Sequence, residues 1–409
     1  MVRNIVVLGG NSHPNLVESV CNILGIPPCA RTLSRFEVGE SRCEIKDSVR
    51  GKDVYIIQSC GGDVNDHFID LCIMISACKT GSARRIVAVL PLFPYSRQPD
   101  IPYNKPIAAK SVPATPGPNV PVSATLTAQS DLTTALAING HSENGTAAGS
   151  SSRSHTGSVS SSQAAAVPPF TTHDYDNYAT VSQFQAKPGY KQWVAQAGIL
   201  VANLLTCAGA NHIITMDLHD PQYQGFFDVP VDNLYSKSLL QRYIQQQIPD
   251  YRDAVIVSPD AGGAKRATAI ADSLGMDFAL IHKERRPIKI TDRQSSTMML
   301  VGNVTGRVCI LVDDLADTAN TITRAAKLLK REGATYCYAL LTHGILNGDA
   351  IARINASVID KIVSTNSVPQ TQHRALCSKL DVLDIAPIFA EAIRRVHHGE
   401  SISVLFQHN

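Results

Sequence analysis

The sequence predicts an α/β fold in which helices cover sheets of largely parallel strands. Two observations carry this prediction. Apolar runs such as Val308–Val312 are typical of strands that are buried on both faces of a parallel sheet, and helical stripes of apolar residues separate these runs along the chain. A chain of 409 residues is long enough for two or three domains. We therefore expect two similar α/β halves and one interrupting stretch of different composition.

In the first half, predicted strands alternate with predicted helices. The strands cover residues 4–8, 53–58, 85–90 and 212–216, and the helices cover residues 15–24, 66–80, 192–207 and 235–247. Gly9 and Gly10 follow the first strand, where a glycine turn could bind a phosphate. Because the GxGxxG spacing is absent, a tight turn into the helix is the favoured interpretation.

The second half repeats this alternation. The strands cover residues 254–258, 277–281, 308–312, 335–341 and 361–364, and the helices cover residues 265–274, 348–355 and 388–396. A further helix begins near Ile322 and ends at Gly333, a residue type that often terminates helices. The charged residues 283–292 are predicted to form a loop.

Residues 101–188 differ in composition from the rest of the chain. They are rich in Ser, Thr, Ala, Pro and Gly, and residues 145–162 are almost wholly small and polar. Such a segment cannot bury enough apolar surface to offset the conformational entropy lost on folding, so we expect it to be disordered. The aromatic residues between Pro169 and Tyr190 leave open a local contact or a partner-binding role.

Composition argues against several classes of partner and location. The formal net charge of +2 gives no reason to expect a nucleic acid or an anionic membrane as a partner. No apolar run approaches the roughly 20 residues of a membrane-spanning helix, and the first residues lack a signal-peptide pattern. The 10 cysteines include no CxxC pair and mostly lie in apolar runs, which indicates reduced thiols in a cytoplasmic protein.

The most informative segment follows the strand predicted in the middle of the second half. Asp313 and Asp314 lie where that strand is expected to end, and Asp317, Thr318 and Thr321 precede a helix. Helix N-termini offer free N–H groups to phosphate, and carboxylates accept hydrogen bonds from hydroxyls, so the pattern favours a sugar phosphate. An acidic turn that only complements the helix dipole is the alternative, and an adjacent pair of acids fits it poorly.

Several segments of the chain together resemble the ribose-phosphate diphosphokinase (PRPP synthetase) family, in its insert-bearing fungal-type form. They are residues 216–219 (MDLH), 224–233 (QGFFDVPVDN), 257–266 (VSPDAGGAKR), 281–285 (IHKER) and 399–406 (GESISVLF). The acidic segment from Asp313 to Thr321 resembles the ribose 5-phosphate loop of phosphoribosyltransferase-type proteins. The resemblance implies two phosphoribosyltransferase-type domains with central, largely parallel sheets, in addition to the insert.

The resemblance also implies domain boundaries. The N-terminal α/β domain would comprise residues 1–100 and 189–238, and residues 101–188 would form the insert that splits it. The C-terminal domain, which carries the ribose 5-phosphate loop, would comprise residues 239–381. Residues 382–409 would form a helix and tail that pack on the N-terminal domain.

The reaction that the resemblance implies is transfer of a diphosphoryl group from MgATP to the anomeric hydroxyl of ribose 5-phosphate. Mg²⁺ is the implied cofactor, and His219 and Asp260 are its implied ligands. The implied ribose 5-phosphate site contains Asp260, Asp313, Asp314, Asp317, Thr318, Ala319, Asn320 and Thr321. A lone histidine is more often structural, but the position of His219 in Asp-Leu-His ahead of Gln-Gly-Phe-Phe favours the metal role.

Lys283 and Arg285 resemble the catalytic cations of a mobile loop that closes over the phosphates. Most charged runs are solvated loops, but this one lies in the order that the family requires. The implied ATP-binding residues are Phe36 and Glu40 for adenine and Arg97 and Gln98 for the phosphates. Ser48 and Arg50 resemble the family's allosteric phosphate site, and an exposed turn is the alternative.

Three departures from the family pattern bear on function. Ala319 and Asn320 lie where glycine is usual, and Asn is the better suited to a left-handed backbone. Val38 replaces an Asn in the adenine segment. Pro99 opens the insert where an ATP-closing segment is expected, and Trp193 lies about where that segment's arginine would be.

These features support three hypotheses. The first is a catalytic subunit that works in a hetero-oligomer with paralogous PRPP synthetase subunits and responds to inorganic phosphate or nucleotides. The second is a non-catalytic regulatory or scaffold subunit of such a complex, which the departures around ATP favour. The third is a phosphoribosyltransferase that consumes PRPP, which would explain the acidic loop but neither the Asp-Leu-His nor the Ile-His-Lys-Glu-Arg segment.

Overall fold

The structure is a computed structural model that describes residues 4–97, 197–284 and 297–405. The stretch at residues 101–188, which we expect to be disordered, lies outside the described residues, as do Gln98, Trp193 and Arg285. All 10 cysteines fall within the described ranges and are free thiols. Across those same ranges, none of the helices has the length and apolar character that a membrane span requires.

The first half of the described chain forms a five-stranded sheet and a two-stranded hairpin. In chain order its elements are β1 (Ile5–Gly9), α1 (Pro14–Leu24), β2 (Arg31–Arg35), β3 (Ser41–Ile45), β4 (Asp53–Ile57), α2 (Val64–Thr80), β5 (Arg85–Leu90), α3 (Ala197–Ala208), β6 (His212–Met216), β7 (Val231–Leu234) and α4 (Lys237–Gln247). The sheet order is β1-β4-β5-β6-β7, and its pairings are parallel. The antiparallel hairpin β2–β3 lies outside it.

The second half forms a seven-stranded sheet with the order β10-β9-β8-β11-β12-β13-β14. Its elements are β8 (Val255–Ser258), α5 (Ala264–Leu274), β9 (Asp277–Glu284), β10 (Thr297–Val301), β11 (Val308–Ala316), α6 (Asn320–Arg331), β12 (Tyr336–Gly344), α7 (Ala350–Asn355), β13 (Lys361–Thr365), α8 (Thr371–Leu376), β14 (Leu380–Leu383) and α9 (Ala386–His398). Within this sheet only the β9–β10 pair is antiparallel. The predicted α/β class with largely parallel sheets is confirmed.

Two predicted boundaries in the second half are wrong. Strand β11 continues to Ala316 because it pairs with β12 along its whole length, so Asp313 and Asp314 lie inside the strand and not beyond its end. Lys283, which we expected in a loop, lies in β9 opposite Met298 of the antiparallel edge strand. In both cases sheet pairing extends over residues whose own preference for strands is low.

The last helix, α9, packs against the first half of the chain. Its buried side chains, Phe389 among them, belong to one cluster with α1 and the first sheet. Arg85 Nη2 donates a hydrogen bond of 2.9 Å to the carbonyl of Val396, and His397 Nδ1 lies 2.9 Å from Asp53 Oδ2. The end of the described chain is therefore fastened to the sheet that its beginning forms.

Candidate active site

The carboxyl ends of β6 and β11 come together, so that the two sheets share one site. His219 follows β6, and its Nδ1 lies 2.6 Å from Oδ2 of Asp314 in β11. Arg266, in the first turn of α5, places Nη1 3.3 Å from the other carboxylate oxygen of Asp314. Asp314 is only 3% exposed, and both of its carboxylate oxygens have cationic or hydrogen-bonding partners, the exposed His219 and the partly buried Arg266.

The neighbouring acids of β11 have opposite electrostatic environments. Burial opposes ionisation of Asp314, but the hydrogen bond to His219 and the Arg266 guanidinium outweigh it and lower the pKa of Asp314. Burial, together with the carboxylates of Asp314 and Asp260, raises the pKa of Asp313 well above its ordinary value. The hydrogen bond to Asp314 raises the pKa of His219 against the effect of burial. Asp314 is thus held as a carboxylate, whereas Asp313 is crowded by other acids.

Asp260 faces Asp313 across the turn that leads from β8 into α5. Its Oδ1 accepts a hydrogen bond of 3.0 Å from the N–H of Gly263. A Cβ on Gly263 would lie 3.7 Å from Oδ1 of Asp260 and 3.9 Å from Oδ1 of Asp313. The tighter approach, at 3.1 Å, would be to the hydroxyl of Ser258, so Gly263 lies beside both carboxylates but at ordinary contact distance from them.

The crowding of Asp260, Asp313 and Asp314 is a feature that a divalent cation would relieve. Mg²⁺ prefers oxygen ligands and is usually held by one or two carboxylates together with phosphate and water. The contact of His219 Nδ1 with Asp314 leaves Nε2 as the ring atom that could bind a metal. These residues fit Mg²⁺, although the described ranges contain no group of three or more His, Cys, Asp or Glu side chains that could hold an ion by themselves.

The predicted sugar-phosphate loop leads from β11 into α6. Ala319 adopts a left-handed backbone with φ 56°, and Asn320 is already the first residue of the helix. The left-handed residue is therefore Ala319 and not Asn320, the residue type better suited to it. Thr318 Oγ1 accepts a hydrogen bond from Asn320 Nδ2, and Thr321 is exposed in the first helical turn. The free N–H groups of that turn border the loop.

Three side chains from other elements brace this loop. Arg97 Nη1 lies 2.9 Å from Asp317 Oδ2, and Asn347 Nδ2 donates a hydrogen bond of 3.1 Å to the other oxygen. Arg353, on α7, donates to the carbonyl of Thr318. Arg97 thus joins the end of the first described segment to the acidic loop, although its side chain is 48% exposed.

The predicted adenine-binding residues lie in the tip of the β2–β3 hairpin. Phe36 N donates a hydrogen bond of 2.9 Å to the carbonyl of Glu40, and the Phe36 and Val38 side chains are exposed. Ion pairs and hydrogen bonds fasten the strands of the hairpin to α2, through Arg35 with Asp66 among others. Among the described residues, no hydrogen bond or ion pair joins the tip to the Asp313–Asp314 cluster.

The remaining predicted residues are dispersed. Ser48 and Arg50 are exposed in the turn between β3 and β4, on either side of the buried Val49. The backbone of Lys283 lies in β9, and Gln98 and Arg285 fall outside the described residues.

Sequence reasoning missed the residues that hold the site together, chiefly Arg266 and Asn347. Arg266 ends the segment of residues 257–266 that resembles the family, so the sequence did mark it as a candidate site residue. Nothing in the local sequence marks Asn347, because its partner Asp317 comes from a different loop.

Comparisons with known proteins show the family to which the chain belongs. A family model described as the N-terminal domain of ribose phosphate pyrophosphokinase matches residues 5–115, and one described as a phosphoribosyl synthetase-associated domain matches residues 287–407. Ribose-phosphate pyrophosphokinase 5 of Schizosaccharomyces pombe is 48% identical over 408 residues, which cover 100% of this chain and 99% of that protein. The chain belongs to the ribose-phosphate pyrophosphokinase (PRPP synthetase) family.

A solved structure supports the same assignment. The crystal structure of phosphoribosylpyrophosphate synthetase from Mycobacterium smegmatis is similar with a TM-score of 0.70 and 30% sequence identity. The match covers 97% of this chain and 100% of that one. The predicted family, and with it the prediction that the chain is an enzyme of the ribose-phosphate pyrophosphokinase type, is confirmed.

Proposed function

We propose that this chain is a catalytic ribose-phosphate diphosphokinase subunit that acts in a hetero-oligomer with paralogous subunits. The observation that carries the proposal is the 2.6 Å contact between His219 and Asp314. It brings the Asp-Leu-His segment of the first sheet against the acidic pair of the second. The reaction would give PRPP and AMP from ATP and ribose 5-phosphate, and so supply nucleotide biosynthesis.

The proposed step is an in-line displacement at phosphorus. The anomeric hydroxyl oxygen of ribose 5-phosphate attacks the β-phosphorus of ATP and forms the new oxygen–phosphorus bond. The bond from the β-phosphorus to the oxygen that bridges it to the α-phosphorus breaks, and AMP leaves with that oxygen. The proton of the hydroxyl is released to solvent water. Such chemistry depends mainly on positioning and on neutralising phosphate charge.

The second sheet would bind the sugar. N–H groups at the start of α6, in the loop from Asp317 to Thr321, would hold the 5-phosphate. Asp260, Asp313 and Asp314 would face the ribose hydroxyls. Asp313 is the best placed to accept from them, because the two oxygens of Asp314 already contact His219 and Arg266.

Residues of both sheets would bind the nucleotide. His219 and Asp260 would hold Mg²⁺, which neutralises phosphate charge when it is bound. Phe36 and Glu40 would contact adenine, Arg97 and Gln98 would contact the phosphates, and Lys283 and Arg285 would supply the catalytic cations. In the described chain Arg97 pairs with Asp317, so ATP would have to compete for this guanidinium.

Ser48 and Arg50 would bind inorganic phosphate or a nucleotide effector, and the protein would act in the cytoplasm. The domain boundaries would be those that the family resemblance implies, and the helix and tail of residues 382–409 would pack on the N-terminal domain.

A non-catalytic regulatory subunit is the second candidate. It is favoured by the left-handed Ala319 in the sugar-phosphate loop and by the exposed Val38 in the adenine segment. In this case the chain would alter the activity of its partners and contribute no turnover of its own.

The test is release of AMP from MgATP and ribose 5-phosphate, measured for the chain alone and for the chain co-expressed with a paralogous subunit. Lys283→Ala removes a proposed catalytic cation and should lower the activity of this chain's sites by about 10²-fold. Lys327→Ala removes an exposed lysine from the outer face of α6 and is the matched control. Complex activity that responds equally to both variants would support the regulatory candidate.

A further inference from the structure

Asp217 opens the Asp-Leu-His segment, yet the proposed reaction gives it no role. Its side chain is buried, and one carboxylate oxygen, Oδ2, accepts three hydrogen bonds. The donors are the N–H of Ser236 at 3.0 Å, the hydroxyl of Ser236, and the hydroxyl of Thr342 at 2.7 Å. Ser236 lies in the first half of the chain, and Thr342 lies on β12 of the second sheet. The Asp217 carboxylate therefore joins the two halves of the molecule.

A buried histidine reinforces the same junction. His343 Nε2 lies 3.1 Å from the carbonyl oxygen of Met216 and 3.3 Å from that of Asp217, and its Nδ1 lies 2.8 Å from the Ser367 hydroxyl. Burial lowers the pKa of His343, which keeps the ring neutral, with Nε2–H as the donor to the carbonyls. We call Asp217, Ser236, Thr342 and His343 the inter-sheet cluster.

The backbone of Asp217 needs this support. Its φ of 39° lies in the left-handed region, which residues other than glycine rarely occupy and which aspartate adopts mainly when its side chain is hydrogen-bonded nearby. The turn that results directs the chain from the end of β6 to His219, whose Nδ1 meets Asp314 at 2.6 Å. Any relaxation of the turn would move the imidazole relative to the acidic pair.

We propose that the inter-sheet cluster is a positioning device for His219. It holds the strained turn at Asp217 so that Nδ1 of His219 stays on Asp314 and Nε2 stays available to the Mg²⁺ of the bound nucleotide. This inference rests on the proposed function for the role of His219. Groups that orient a metal-binding histidine typically change metal affinity or activity by about 10–100-fold when they are removed.

A purely structural role accounts less well for these residues. A buried carboxylate surrounded by hydroxyl and amide donors is a poor stabiliser, since an apolar residue of similar volume often serves stability as well or better. The left-handed backbone of Asp217 also lies only two residues before His219. Such a conformation costs stability and is typical of functional sites, so its position favours a role for the cluster in function.

The experiment compares two threonine-to-valine variants. Thr342→Val removes a donor to Asp217, whereas Thr215→Val removes an equally buried hydroxyl on β6 that has no hydrogen-bonding partner among the described residues. Both are measured in the active complex for the Mg²⁺ concentration at half-maximal AMP release and for the KM values of MgATP and ribose 5-phosphate. A crystal structure of each variant gives the distance from His219 to Asp314.

We expect Thr342→Val to raise the Mg²⁺ requirement and the KM of MgATP about tenfold and to leave the KM of ribose 5-phosphate near that of the parent. His219 should be displaced from Asp314 in that variant alone. Asp217→Asn should act in the same direction, and Thr342→Ser, which keeps the donor, should restore the parent values. Equal behaviour of Thr342→Val and Thr215→Val, with His219 in place, would overturn the inference.

The two proposals fail in different ways. If the complex shows no AMP release that depends on Lys283 of this chain, the proposed catalytic function fails. The crystal structures would still decide whether the cluster holds His219. If activity is present but neither the histidine nor the Mg²⁺ requirement moves in Thr342→Val, only the positioning role is refuted.

Discussion

At the scale of the residue, side chains of the same type have different electrostatic environments. Asp313 and Asp314 are adjacent, but only Asp314 has cationic partners, and their pKa values shift in opposite directions. The histidines divide similarly: contact with Asp314 raises the pKa of His219, and burial lowers the pKa of His13 and His343. From the sequence alone, residues of one type would be expected to have the same pKa. Their different surroundings in the folded chain shift these pKa values in opposite directions.

The acidic pair predicts opposite effects on stability. The raised pKa of Asp313 means that its charge destabilises the folded state, so Asp313→Asn should increase the free energy of unfolding at neutral pH by about 1 kcal/mol. The lowered pKa of Asp314 means that its charge is stabilising, so Asp314→Asn should decrease it by about 1–3 kcal/mol. Urea unfolding of the two variants measures both effects, and shifts of the same sign would contradict the assignment.

His13 predicts how stability depends on pH. Its Nδ1 accepts a hydrogen bond from the N–H of Leu16, and its Nε2 contacts the carbonyl of Asn366, an arrangement that suits the neutral ring. Burial lowers its folded-state pKa below 6.5, so the unfolded chain binds the proton first and stability falls as pH drops below about 6.5. The loss should reach at most about 1.4 kcal/mol at about pH 5.5.

The measurement is the unfolding free energy of His13→Gln against the parent at about pH 7.5 and about pH 5.5. Because glutamine does not titrate, the stability advantage of the parent should shrink at the lower pH. The control is His282→Gln, which removes an exposed imidazole from β9. An advantage that is constant or larger at the lower pH would show that His13 is not held neutral.

At the scale of the element, the periodicity of apolar residues determined which helices and strands could be predicted from the sequence. Strand β6 and helix α6 were located well, because the first is a continuous apolar run and the second has a clear apolar stripe. The hairpin β2–β3 and the short strands β7 and β14 were missed, since their residues alternate or mix polar and apolar types and gain their pairing from neighbours. Pairing with β12 also extends β11 beyond Asp313 and Asp314, where we predicted that the strand would end.

The same limit applies to the site. The acids of β11 and the histidine after β6 could be found because each lies at the end of a predicted strand. The contacts of Arg266, Asn347 and Thr342 could not be predicted, because each of these residues acts on a partner that is distant in sequence and is brought near only by folding. The sequence identified the charged residues of the site, but it did not identify the residues with which they pair.

The start of α6 yields a prediction about backbone strain. Ala319 is buried and left-handed, so Ala319→Gly would relieve about 1 kcal/mol of strain while losing a buried methyl group worth about the same. We expect its stability to lie within about 1 kcal/mol of the parent. Ala325, equally buried in the regular part of α6, is the matched position, and Ala325→Gly should cost about 2 kcal/mol. Thermal unfolding compares them, and equal losses would exclude strain at Ala319.

At the scale of the whole molecule, two of the contacts between the halves of the described chain bear on its stability. One is the site itself, where His219 meets Asp314 and Asp217 meets Thr342. The other is α9, which follows the second sheet in sequence but buries its apolar face against α1 and the first sheet. The apolar cluster formed by α1 and the first sheet is therefore fully packed only when α9 lies against it.

Phe389 tests this dependence. The ring is 1% exposed in the cluster that α9 shares with the first sheet, so Phe389→Ala should lower the free energy of unfolding by about 3–5 kcal/mol. Leu376→Ala, on α8 at 68% exposure, should change it by less than about 0.5 kcal/mol. Because α9 covers the first sheet, hydrogen exchange of the Phe389 variant should accelerate in β1 and β4 as well as in the helix. Loss of protection in the helix alone would mean that the first sheet is stable without it.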